Sequence, residues 1–253
     1  MELVDTHCHL QFKDYKDPNQ IIEAAREAGV TKLICVGTTL ADSTQAIEIA
    51  VGNEGVWAAV GVHPHDAKAL DPSKLAAEIK ALLIKPKVVA VGEIGLDFYK
   101  NYSPRDEQIK VLKAQIEASL AYDLPYIFHV REAFDEFWPI FDAYPGLRGV
   151  IHSFSSSEQD LEQILKRGLY VGLNGIMTFT KDIGQLAAAK KVPADKLLLE
   201  TDAPFLAPAS LRGKTCEPKH VRLVAEFLAD LRGESWAELA ATTTHNSERL
   251  FGL

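Results

Sequence analysis

Six of the eight histidines in this 253-residue chain follow short apolar runs. His7 and His9 come after ELVDT, His63 and His65 after VWAAVGV, His129 after LPYIF, and His152 after LRGVI. Two carboxylates share that context: Glu93 follows VVAVG, and Asp202 follows LLLET. Imidazole and carboxylate together make a nitrogen and oxygen site suited to Zn, Mn, Fe, Co or Ni rather than Ca. Scattered histidines would be surface or core residues. This repeated placement points to one shared metal site where strands open into a mouth.

Each position has a plainer reading beside the functional one. His7 and His9 lie two apart on an extended segment, so both point the same way and can reach one ion. Cys8, between them, is sent to the opposite face and reads as packing. Glu93 ends a nearly uncharged run, where a carboxylate is costly unless it is paired or bound to metal. Otherwise it would be a helix cap or a salt-bridged acid. Asp202 could cap the Ala203–Pro204 turn, and His129 or His152 alone could be a satisfied core histidine. Five such contexts in one chain are better explained by one centre.

The elements that must position these residues alternate from end to end. Candidate strands are Leu3–Thr6, Lys32–Val36, Val56–Val60, Val88–Gly92, Tyr126–His129, Gly149–His152, Leu169–Leu173 and Leu197–Thr201. Their lack of strict polar alternation fits strands buried on both faces of a parallel sheet. Amphipathic segments lie between them. DPNQIIEAAREAG, for example, offers Asp17 as N-cap, Pro18 at the first helical position and Gly29 as terminator. After the eighth strand, EPKHVRLVAEFLADLRG, SWAELAATTT and HNSERLFGL read as closing helices, with His245 starting the last. Eight strand–helix units predict an α/β fold, a (β/α)8 TIM barrel with extra C-terminal helices, as a single domain over residues 1–253. A doubly wound sheet would show a Gly-rich loop after its first strand, where this chain has THCHL.

A hydrophobic content of 47% with 25% charged residues suits a globular enzyme. No apolar stretch approaches the ~20 residues needed to span a bilayer, and MELVDTHCHL carries no leader pattern, so the expected location is the cytoplasm. Three cysteines without framework spacing are expected to stay reduced. A formal net charge of −8 argues against a protein that coats long nucleic acid, though not against an enzyme that grips a strand end at a metal centre.

THCHL, GVHPHD, VGEIGLDFY, HVREAFDE, HSFSSS, LNGIMTF and ETDAPFLAP, in that order, resemble the TatD-like metal-dependent deoxyribonucleases, a family of amidohydrolase-type barrels. The resemblance implies two divalent ions, zinc as the bound metal with magnesium or manganese as alternatives for activity. His7, His9 and Asp202 would hold one ion and His129 and His152 the other, with Glu93 bridging. His63 and His65 would line the pocket, His63 meeting substrate phosphate or water rather than metal. Arg131 would contact phosphate, unless it pairs with Glu132 or Glu136. Asp97 would accept from a ligand histidine, unless it pairs with Lys100 or Arg105.

The implied reaction is hydrolysis of DNA phosphodiester bonds from a 3′ end, on single-stranded or damaged DNA, with Asp202 and Glu93 as the catalytic carboxylates. No membrane and no obligatory protein partner are implied. Ser153 and Ser156 depart from the family's HCFSG pattern, and Cys216 stands in place of an Asn, which leaves the part of Arg212 and Lys214 open. Phe98, Tyr99 and Tyr102 could stack on a base or simply pack. His220 reads as a capping or surface residue, and Trp57, Trp138 and Trp236 as packing. The competing enzymatic reading is a small-molecule amidohydrolase or lactonase; from another class, a non-catalytic scaffold.

Overall fold

Strand pairing follows chain order. In the computed structural model, which describes residues 2–68 and 70–253, the strands are β1 (Leu3–Cys8), β2 (Val30–Val36), β3 (Val56–Val60), β4 (Val88–Asp97), β5 (Tyr126–Arg131), β6 (Gly149–Ile151), β7 (Tyr170–Leu173) and β8 (Leu197–Leu199). They form one sheet in the order β1 to β8, each pair parallel. Parallel neighbours need crossovers, and helices supply them: α1 (Pro18–Glu27), α2 (Leu40–Gly52), α3 (Pro72–Leu83), α4 (Arg105–Ser119), α5 (Phe134–Asp142), α6 (Glu158–Lys166) and α7 (Ile183–Lys191). The expected start of α1 is present: Asp17 accepts the Asn19 N–H ahead of Pro18.

Beyond β8 the seam with β1 is closed by main chain. Asp202 N–H donates to the His7 carbonyl at 2.9 Å, and His9 N–H to the Ala203 carbonyl at 2.7 Å. The result is the eight-stranded α/β barrel that the periodicity predicts. One cluster of buried side chains draws on every strand from β2 to β8 (Ile34 and Val36, Ala59, Ala90, Ile127, Val150, Tyr170, Leu198). Leu250 and Phe251 join it from the last helix and stop the end of the barrel remote from the histidines.

Several strands differ at their ends from expectation, β5 running on to Arg131 for example, and two of the differences serve the centre. β4 continues past Gly92 to Asp97, so Glu93 stands inside a strand, not at its end. Its register against β5 slips between Val91 and Ile94, the mark of a bulge, which re-aims a side chain. β1 slips likewise between Asp5 and Cys8, around His7. Gly95 keeps β4 against β5: a Cβ there would sit 1.8 Å from the His129 carbonyl oxygen.

The chain ends in α8 (Val221–Arg232) and α9 (Trp236–Phe251). The two short helices expected after α8 are one. The Thr242–Thr244 run does not break it, because Thr243 Oγ1 returns its proton to the Leu239 carbonyl at 2.8 Å. His245 therefore lies mid-helix and exposed, while His220 caps the turn before α8 by accepting the Glu217 N–H.

Candidate metal centre

The residues singled out in the sequence meet at the C-terminal ends of the strands. His7 and His9 come from the end of β1, His63 from the turn after β3, Glu93 from mid-β4, His129 from β5, His152 from just past β6 and Asp202 from just past β8. Asp202 holds a left-handed backbone (φ 61°), which turns its carboxylate inward while its N–H seals the barrel seam. All but Asp202 and His129 are more than nine-tenths buried.

Their donor atoms face one another at spacings that suit an ion. His7 Nε2 lies 3.3 Å from His9 Nε2. Asp202 Oδ1 is 3.4 Å from His9 Nε2 and 3.7 Å from His7 Nε2. Ligands ~2.0–2.1 Å from a tetrahedral ion are separated by about 3.4 Å, so this trio fits a small divalent cation. Glu93 is the hub of the rest. Its Oε2 is 3.5 Å from His7 Nε2, while Oε1 is 2.9 Å from His129 Nδ1, 3.4 Å from His152 Nε2 and 3.6 Å from His63 Nε2. Three overlapping groups could hold a cation: His7, His9 and Asp202; His7, Glu93 and His152; His63, Glu93 and His129. The first matches one expected ligand set. His129 and His152, expected together, meet only through Glu93, with ring centroids 6.1 Å apart.

A profile of the family described as TatD related DNase matches residues 4–252. The chain belongs to that family. It is a metal-dependent hydrolase of the TatD type, acting on ester bonds. It is 36% identical over 252 residues to the "uncharacterized metal-dependent hydrolase YabD" of Bacillus subtilis, covering 98% of each chain. It is 35% identical over 247 residues to the "3′-5′ ssDNA/RNA exonuclease TatD" of Escherichia coli, covering 94% of each. The crystal structure of YJJV, a TatD homolog from Escherichia coli, superposes with a TM-score of 0.93 at 30% identity, covering 99% of this chain and 98% of that one.

In this TatD-family centre, contacts on the far side of each ring decide which nitrogen offers a lone pair. His9 Nδ1 is 2.7 Å from the Val36 carbonyl, which can only accept, so Nδ1 carries the proton and Nε2 is free for a cation. His63 is set the other way: Nδ1 accepts the His65 N–H at 3.1 Å, which leaves the proton on Nε2, toward Glu93. That tautomer suits a hydrogen-bond donor rather than a ligand. Asp97 lies 3.2 Å from His129 Nε2 and 2.8 Å from His65 Nε2, and accepts the Lys100 main-chain N–H. Of its two expected uses, the contact with a histidine is the one formed.

Glu200 escaped the sequence reading. It is buried on the inner face, two residues before Asp202, with Oε1 2.9 Å from His152 Nδ1 in an ion-pair contact outside hydrogen-bond alignment. It also accepts the Ser153 N–H at 2.6 Å. Period-two alternation back from Asp202 was the signal that could have found it. Ser153, at the position of the family's Cys, also accepts from Asn174 Nδ2 at 2.8 Å.

Burial and charge pull these groups in opposite directions. Burial alone would raise the Glu93 carboxyl, but His63, His152, His7 and the hydrogen bond with His129 hold it well below the usual range. Burial would likewise raise Asp202, and its bond with His9 and the charges of His152 and His7 lower it. Burial opposes protonation of His152, yet Glu200 and Glu93 push it up to about 10. Burial lowers His7, with His152 adding to the effect. Without a metal, then, the centre is a nest of ionised carboxylates and partly protonated imidazoles, the donor set a divalent cation would replace protons in.

The remaining expected residues fall around a cleft of about 680 Å³. His63, His65 and Arg131 line it. Among the described residues, Arg131 forms no ion pair with Glu132 or Glu136; its guanidinium lies 4.0 Å above the Tyr99 ring. Phe98 is buried under Arg105 and is not available to a base, whereas Tyr99 and Tyr102 are exposed. Arg212 stacks on Phe179, and neither it nor Lys214 lines the cleft.

Proposed function

We propose that the protein is an exonuclease that removes nucleotides from the 3′ ends of single-stranded or damaged DNA, using two divalent ions. The observation that carries this reading is Glu93, whose two oxygens face different histidine sets: Oε2 toward His7, and Oε1 toward His129 and His152. A carboxylate so placed can be shared between two cations. His7, His9 and Asp202 would hold one, and His129 and His152 the other, with zinc as the resident metal and magnesium or manganese as alternatives for activity. Bound there, divalent cations supply positive charge that polarises a phosphoryl oxygen and lowers the pKa of water.

The chain's own side chains do the rest. Asp202, ionised and largely buried but lining the cleft, orients the attacking water and takes its proton. His63 presents its Nε2–H to a phosphate oxygen or to water, as its tautomer allows. Arg131 meets a phosphate oxygen, for which a planar guanidinium is well shaped. The printed name of the Escherichia coli relative, with its 3′-5′ polarity and single-stranded substrates, supports the choice of strand and end. No helix among the described residues is long and apolar enough to cross a membrane; the proposed setting is the cytoplasm, with the chain working as one domain without an obligatory partner.

The test offers metal-loaded protein single-stranded DNA labelled at the 5′ end, the same strand labelled at the 3′ end, an RNA strand, and a panel of lactones and amides. A ladder shortening from the 3′ end with an inert panel is expected. Digestion from the 5′ end would overturn the polarity, and turnover confined to the panel would overturn the nuclease reading.

A further inference from the structure

Resting on that nuclease reading, we infer that Phe205 is the platform on which the terminal nucleobase stacks, and that the cleft sorts the strand's base end from its phosphate backbone. Phe205 lies three residues past Asp202, lines the same cleft and is 49% exposed. It crosses its ring neighbours at steep angles, His9 at 62° and Phe12 at 71°, with centroids 6.2 and 6.0 Å away, so neither covers it face to face. Of the cleft's other exposed aromatics, Tyr102 stands edge-on to His65 at 4.7 Å, in the loop after β4 on the side of Lys100, away from this wall. Phe12 is stacked on His9 at 4.7 Å, and Tyr99 carries the Arg131 guanidinium.

The wall around Phe205 is apolar, with Leu206 and Ile176 beside it. It is built from the segments that follow β7 and β8, beside β1. Lys100 and Arg131 belong to the β4 and β5 side, which strand order puts diametrically opposite. A strand being shortened has two chemically different parts at this point. The terminal nucleoside brings a flat base and no charge beyond the scissile phosphate, and the chain behind it brings one negative charge per nucleotide. The apolar wall suits the first and the cationic wall the second. Because Leu206 and Ile176 carry no side-chain donor or acceptor to read a base edge, the platform should accept every base, favouring purines through their larger rings.

The experiment is a cycle of two changes: Phe205→Leu, which keeps bulk against His9 and Phe12 but loses the flat ring, and a substrate whose 3′-terminal residue is a tetrahydrofuran abasic analogue. Each change alone is expected to lower kcat/KM for release of the terminal residue on the order of 10-fold, the scale of one base stacked on an aromatic ring. Together they should cost no more than either one, and Phe205→Tyr should restore the rate on the base-bearing strand. Metal content is measured throughout. Additive losses, no loss, or the same non-additivity appearing for Tyr102→Leu instead would overturn the assignment. A wild-type protein inert on every strand would sink the nuclease reading and this inference with it, a result distinct from additive losses in an active enzyme.

Discussion

Glu200 stands behind His152 as Glu93 stands before it: Oε1 of Glu200 is 2.9 Å from Nδ1, and Oε1 of Glu93 is 3.4 Å from Nε2. A carboxylate in the rear position fixes ring orientation and raises ligand basicity. Gly172 leaves room for it, since a Cβ there would lie 2.3 Å from Glu200 Oε2. Glu200→Gln is expected to weaken metal binding about 10–100-fold while the fold stays intact. Gly172→Ala should act in the same direction by displacing the carboxylate. Chelator competition measures both, and unchanged affinity in Glu200→Gln would remove the positioning role.

Glu93→Ala should disturb both ions, because the two oxygens of this carboxylate face different histidine sets. Elemental analysis is expected to find up to two divalent ions per wild-type chain, a deeper loss in Glu93→Ala than in His7→Ala, and no full occupancy in the former. A Glu93→Ala protein that keeps both ions would break the shared-carboxylate arrangement.

Asp202→Asn retains size and one oxygen but loses charge and basicity. Turnover of DNA and of a simple phosphodiester should both fall by about 10²-fold or more, the scale of a positioned general base. DNA affinity should change little. Metal content must be followed, since a vacated site would mimic the defect. Near-normal turnover with full metal would pass the role of proton acceptor to another group, with His63 the next candidate.

Arg131→Ala should raise KM for an oligonucleotide by about 10-fold, the loss of one charge-assisted hydrogen bond, with metal content unchanged. Loss of metal, or unchanged kinetics, would count against the phosphate contact.

His152 contributes to the pH dependence of the metal-free protein. Its pKa is pushed up to about 10 by Glu200 and Glu93 against the opposing effect of burial. A group raised on folding contributes stability that is full below its unfolded value of about 6.5 and is lost as pH rises toward the folded value. The chelator-treated protein should therefore lose thermal stability from about pH 7 to pH 10. Metal binding needs the neutral ring, so the stabilisation given by metal should grow over the same window. A metal-dependent rise in Tm that is flat or shrinks from pH 7 to 10 would contradict this.

How much of this was legible beforehand depended on whether a residue announced itself by type and local context. Eight apolar runs gave the eight strands, and imidazoles and carboxylates at their ends gave the centre, because those side chains are costly there without a partner. Glu200 stayed hidden inside LLLET because its partner, His152, comes from a different strand, and a single acid before Asp202 looks like any other. The expected β4 stopped at Gly92, while the bulge and the close approach to β5 that carry it on to Asp97 are properties of the paired sheet. The division of α9 failed for a related reason: the Thr run is poor for an isolated helix, but here Thr243 is buried and the hydroxyls of Thr243 and Thr244 are bonded to main-chain carbonyls.

The seam between β1 and β8 has a consequence for how the molecule is born. His7 and His9 leave the ribosome well before Asp202, and the bond from Asp202 N–H to the His7 carbonyl joins them. No nascent chain that lacks Asp202 can assemble that trio, so capture of an ion by it would wait until β8 has emerged. An ion held by residues of both ends would clasp β1 to the segment after β8, and favour the closed barrel over an open one by mass action.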